Sequence, residues 1–221
     1  GTTTVKNCDF TIEKNGASSN AQEFCEANRL IIAGKTNITC QSTSTAVMWF
    51  AFSGAGITVD SGAVVNISAP NTYLIYSDSA AKPQLTFRQA SSTVISVKSG
   101  LFYAAGTGAH IASSCTIERE ASLSVTSATN GGVPLFKCAG DFTLMQGGRL
   151  FLTLPQSGSS PLMYFSVAAK VNFTSPKNVV LYNNGGKVFS FASGATVSIT
   201  ASRVNYWTKS VTPYTSAGGF D

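Results

Sequence analysis

Residues 57–67 run Ile57-Thr58-Val59-Asp60-Ser61-Gly62-Ala63-Val64-Val65-Asn66-Ile67. Two short apolar-polar-apolar stretches flank a turn at Asp60-Ser61-Gly62. Side chains alternate across a strand, so Ile57 and Val59, then Val65 and Ile67, face one buried side. The first triplet recurs as Leu85-Thr86-Phe87, Cys115-Thr116-Ile117, Phe142-Thr143-Leu144, Val171-Asn172-Phe173 and Val197-Ser198-Ile199, at spacings of 28, 30, 27, 29 and 26 residues. The second strand keeps the same beat through Ile95/Val97, Leu123/Val125, Leu150/Leu152, Val179/Leu181 and Val204/Tyr206. Leu30/Ile32 and Ile38/Cys40 extend both series backward by 27 residues. A third apolar strand closes each period: Met48–Phe52, Tyr73–Tyr76, Leu101–Ala104, Pro134–Cys138, Leu162–Phe165 and Val188–Phe191.

Like strands that return one period later, pointing the same way, pair in parallel and stack their side chains into columns. The pattern therefore predicts an all-β, right-handed parallel β-helix with three strands per turn and about seven turns. An antiparallel sandwich is the competing architecture, since some turn signals fall at the 8–12-residue spacing it requires. Residues 1–29 differ from the repeats. Val5, Phe10 and Ile12 suggest an opening strand pair, and Ser18-Ser19-Asn20 then precedes helix formers from Ala21 to Asn28. A short N-terminal capping helix across the open end of the stack is the expectation. Residues 30–207 carry the repeats, with Trp207 covering the last turn. The small, polar residues 208–221 read as a C-terminal linker.

Composition narrows the function classes. The chain is 43% hydrophobic but only 11% charged, against roughly 25% in ordinary soluble domains. Its surface must be Ser, Thr, Asn and Gly, as on extracellular solenoids. The net charge of +5 is scattered along the chain, with no basic cluster or interleaved aromatics, so no nucleic-acid partner is implied. No apolar run approaches the length of a membrane span, which argues against membrane insertion. No signal peptide opens the chain, which starts as though cut from a longer precursor. The five cysteines form no CxxC pair. Cys40, Cys115 and Cys138 fall on interior positions, whereas Cys8 and Cys25 either staple the N-terminal end or stay free.

Neither a metal nor a cofactor is called for. A polysaccharide lyase needs converging carboxylates and a base, and a hydrolase needs two facing carboxylates. Of ten acidic residues, Asp9, Glu13, Glu23 and Glu26 lie outside the repeats. Asp60, Arg88 and Glu118 take equivalent outward places in three successive turns. They form either a small ionic site or a charge ladder that fixes register. Outward Tyr103, Lys137 and Tyr164 form a second candidate, a stripe able to stack on sugar rings or anchor a protein. His110, the single histidine, reads as a loop residue. The outward row Thr58, Thr86, Thr116, Thr143, Asn172, Ser198 has the regularity of an ice-binding face but has charges beside it. Sequons at Asn37, Asn66 and Asn172 matter only in a glycosylating source.

The Val179-Val-Leu-Tyr-Asn183 stretch, the Phe-containing strand after it, Val197-Ser-Ile199 and the closing Val204-Asn-Tyr-Trp207 resemble the pectate-lyase-like adhesive domains of wall-attached surface proteins in Gram-positive bacteria. The resemblance covers roughly residues 30–207. It implies a right-handed β-helix used for attachment, with lyase activity lost. The expected function is a non-catalytic adhesin module of a secreted or cell-surface protein, binding a glycan or host surface protein along a lateral sheet. It would be extracellular and held to the cell wall through regions outside this chain, as part of a longer surface protein. The alternatives are a polysaccharide lyase or hydrolase around Asp60, Arg88 and Glu118, or a structural stalk. The cysteine content departs from the family, whose members carry few.

Overall fold

The computed structural model describes residues 1–14, 22–42, 48–77, 82–103, 110–129, 131–166, 169–191, 195–200, 204–208 and 214–215. All pairing between its strands is parallel, in three sheets that wrap one core. The first sheet stacks Thr2–Lys6, Gln22–Ala33, Met48–Val59, Gln84–Phe87, Ser114–Ile117, Phe142–Leu144, Lys170–Thr174 and Thr196–Thr200. The second stacks Asp9–Lys14, Lys35–Ser42, Val64–Ala69, Ser92–Val97, Ser122–Ser127, Arg149–Leu154, Asn178–Asn183 and Asn205–Thr208. The third holds Phe136–Cys138, Met163–Phe165, Phe189–Phe191 and Tyr214–Thr215. This is a parallel β-solenoid, and the sandwich alternative falls.

The columns follow from register. Ile57 pairs with Leu85, Leu85 with Cys115, Cys115 with Phe142, Phe142 with Val171 and Val171 with Val197. All six are buried. Beside them a run of rings crosses the interior, with Phe136 edge-on to Phe102 at 5.8 Å and to Phe142 at 5.4 Å. Edge-to-face contacts of this kind add to the burial of the rings themselves.

The corner between first and second sheets has one left-handed residue per coil: Asn7, Gly34, Gly62, Ala90, Glu120, Gly147 and Ser175. In four coils the turn closes by an i to i+3 bond, from Ala63 N–H to Asp60 O, Ser91 to Arg88, Ala121 to Glu118 and Gly148 to Met145. The positive φ then falls on the third turn residue, the type II arrangement that glycine fits. At Gly62 an added Cβ would meet no atom within 4 Å, so glycine serves conformation there rather than space.

Three expectations change. About five turns are regular, not seven, because the twelve-residue strands Gln22–Ala33 and Met48–Val59 run straight through a corner that later coils fold. The capping helix is absent among the described residues: its second half lies in Gln22–Ala33, which pairs with Met48–Val59 through two register shifts. Its first residues, Ser18 to Ala21, lie outside the described residues. Local helix propensity is weak beside a full row of inter-strand hydrogen bonds. In its place Thr2–Lys6 and Asp9–Lys14 already form a coil. Of the two alternatives left open for Cys8, staple or free thiol, the structure has the free thiol. Most of the expected linker lies outside the described residues, but Tyr214–Thr215 returns to the third sheet against Phe189–Ser190.

Candidate functional site

The six candidate residues fall at two separate places. Asp60, Arg88 and Glu118 stand in successive coils at the corner after the first sheet. Arg88 Nη1 lies 2.9 Å from Asp60 Oδ1, with the two side chains 48% and 41% exposed. The Ser61 N–H, then the Arg88 guanidinium, holds the Asp60 carboxyl below its usual range. Glu118 Oε2 accepts from the Gln89 N–H at 2.9 Å. Each carboxylate is thus bound within the solenoid, and the trio forms a ladder that ties neighbouring turns. An exposed pair of this kind contributes under ~1 kcal/mol. Among the described residues no group of three His, Cys, Asp or Glu gathers to hold a metal.

The third side brings Tyr103, Lys137 and Tyr164 together. Lys137 pairs with Tyr164 in register, and its Nζ donates to the Tyr103 carbonyl at 3.2 Å. Strand alternation turns Lys137 away from the core, between inward Phe136 and Cys138. Even so, it is only 2% exposed. The expected presented cation is therefore a buried one, and burial pulls its amine down to about 8. Tyr103 and Tyr164 keep part of their surface open.

Two residues join this group that alternation and spacing did not single out. The His110 ring sits edge-on to Tyr103 at 5.1 Å, and the Tyr73 ring does so at 5.7 Å from the other coil. His110 has φ 52° and is 7% exposed. Ala112 bridges to Cys138, and the contact with Tyr103 sets His110 beside the third side; no residue pattern signals where it lands. Stacked aromatic edges around a buried amine can grip a sugar ring or an apolar side chain. They do not supply a paired acid and base.

The outward Thr row is continuous in register: Thr58, Thr86, Thr116, Thr143, Asn172, Ser198. Asp9, Asn37 and Asn66 form a second row on the other sheet. There Asn66 Nδ2 donates to Asn37 Oδ1 at 2.8 Å and Asn37 Nδ2 to Asp9 Oδ1 at 2.5 Å. The resemblance to pectate-lyase-like β-helices is matched at the level of a parallel β-solenoid. No family model, curated protein or solved structure matches the chain.

Proposed function

We propose that this chain is a non-catalytic adhesin module of a secreted, cell-surface protein, which binds a glycan or a host surface protein along the third side of its solenoid. The observation that supports this reading is the group of partly open rings, Tyr164 in the strand Met163–Phe165 with Tyr73 and Tyr103 beside the bridged pair Ile75 and Phe102, underpinned by Lys137. Binding groups on a stiff scaffold lose little freedom when a partner docks. The commitment of Asp60 and Glu118 to Arg88 and to the Gln89 N–H argues against the lyase reading at that corner. The unbroken ladders favour a second reading, a stalk that only displays its neighbours.

Retention of the chain on glycan and host-protein arrays tests the proposal, run beside pectin and alginate assays for new reducing or unsaturated ends. Retention should fall at least tenfold in Tyr164→Ala, a loss of roughly 1.4 kcal/mol, while thermal stability changes little. Release of new chain ends overturns the reading in favour of an enzyme. Neither retention nor cleavage leaves the stalk.

A further inference from the structure

The charges scattered along the sequence are sorted by the coiling. From Lys98 to Ala195 the chain passes through the third side and its flanking corners four times, as residues 98–113, 128–140, 155–169 and 184–195. These segments hold Lys98, His110, Lys137 and Lys187, and no Asp or Glu. Over the same span Glu118 and Glu120 lie at the corner between the first and second sheets, and Asp141 lies at the entry to the first. In the coil before, Asp78 is matched in number by Lys82. Two of the lysines flank the open rings. The Lys98 N–H donates to Thr72 O at 2.9 Å, one residue from Tyr73, and Lys187 O accepts from the Leu162 N–H at 2.9 Å, two residues from Tyr164. Lys98 and Lys187 are partly exposed, whereas Lys137 lies beneath with its Nζ on the Tyr103 carbonyl.

We infer that the partner of the third side is an anionic glycan, whose sugar rings meet Tyr73, Tyr103 and Tyr164 and whose sulfate or carboxylate groups meet Lys98 and Lys187. The inference rests on the binding role proposed above and narrows it. A face without carboxylates repels no anion, and the ammonium buried beneath it adds a positive potential that salt screens poorly. The tyrosine rings offer apolar surface to sugar C–H groups and hydroxyls to the polar ones. A neutral glycan would use the rings alone and leave the lysines without a role. Lysines spread over several coils give a low charge density. That suits a glycan, whose charges are set apart by whole sugars, better than duplex DNA, whose phosphates are packed far closer.

Retention of the intact chain on immobilised dextran sulfate, hyaluronan, neutral dextran and duplex DNA tests this, beside the glycan and host-protein arrays. Dextran sulfate or hyaluronan should be retained roughly tenfold more than neutral dextran. Dextran sulfate alone marks sulfate recognition, hyaluronan alone marks carboxylate recognition, and both together mark charge as such. Retention should weaken as salt rises from about 0.1 to about 1 M, because screening shortens from ~10 to ~3 Å. Lys98→Gln with Lys187→Gln should remove most of the preference for the anionic glycan. Lys170→Gln with Lys177→Gln takes the same charge from exposed positions off the third side and should leave that preference unchanged. Equal retention on neutral dextran, retention untouched by salt, equal losses in the two double variants, or stronger binding to DNA overturns the inference. A chain held only by neutral glycans or by host protein overturns it while the adhesin reading stands; a chain held by nothing overturns both.

Discussion

Ala90 shows what one residue costs a repeating corner. At φ 57° it occupies the place that Gly62 and Gly147 take in other coils, and a Cβ in the left-handed region costs about 1 kcal/mol. Ala90 is exposed, so its methyl returns little by packing. Ala90→Gly should therefore raise stability by about 0.5–1 kcal/mol in urea denaturation, despite glycine's greater freedom when unfolded. Thr93 is the reverse case, a polar residue in an apolar place. It is 1% exposed, its Oγ1 has no hydrogen-bond partner, and it lines an interior cavity with Ile67, Phe87 and Ile95. Thr93→Val keeps the shape and removes the buried hydroxyl, so a gain of about 1 kcal/mol is expected on the same urea curve. A loss in either variant would refute the respective account. Thr93 also explains where reading the sequence slips. Matching apolar pairs sets Ile95/Val97 against Val65/Ile67, whereas the register is Thr93 on Val65 and Ile95 on Ile67. Thr36, buried with its Oγ1 donating to Ala33 O, shifts Ile38/Cys40 by the same two residues. An inward threonine looks like an outward one until its neighbours are placed.

At the scale of elements, triplet strands were legible because alternation and a steady period agree, and the N-terminal helix was misread because only local propensity spoke for it. Lys137 lies in the third-sheet strand expected for it, but alternation does not disclose that it is buried, with its amine on the Tyr103 carbonyl of the neighbouring coil. That burial has a pH consequence. The folded amine titrates near 8 and the unfolded one near 10.5, so the folded state gives up its proton first. Below pH 8 the charge is carried in both states and its desolvation penalty is fully felt. Stability should then rise between pH 8 and 10.5, by up to about 3 kcal/mol. The difference between wild type and Lys137→Met in urea unfolding isolates this term. It should favour the variant at pH 7 and shrink toward pH 10, and a difference that stays flat with pH would contradict it. Asn183 holds the opposite corner. Fully buried, it donates from Nδ2 to Ser160 O at 2.9 Å and Lys187 O at 2.8 Å, and accepts from the Gly186 N–H at 3.3 Å. Asn183→Ala strands Ser160 O and the Gly186 N–H, while Lys187 O keeps the Leu162 N–H, and should cost about 2–4 kcal/mol, read as a drop in the urea midpoint. Here the resemblance quoted a residue whose physical work, clamping the loop at 184–187, only the coordinates disclose.

For the molecule as a whole, the parallel stack makes stability a matter of neighbours. Each coil is held by the one before and the one after, so an end coil has half the support of a central one and opens first. The thiols sample this gradient. Cys8 sits partly open in the first coil, Cys40 is 4% exposed in the second, and Cys115 and Cys138 are fully buried further along. Burial raises the Cys40 thiol to about 11 and Cys138 to about 12, with Cys115 also pushed well up. Since the thiolate is the reactive form, these three are inert until their coils open. Alkylation of the native chain, followed by peptide mass mapping, should label Cys8 first, Cys40 more slowly, and Cys115 and Cys138 last. Sub-denaturing urea should speed Cys40 before the central pair, because fraying from the N-terminal end exposes it without global unfolding. If Cys40, Cys115 and Cys138 instead react at one common rate that follows global unfolding, the solenoid opens as a single unit and the nearest-neighbour account fails.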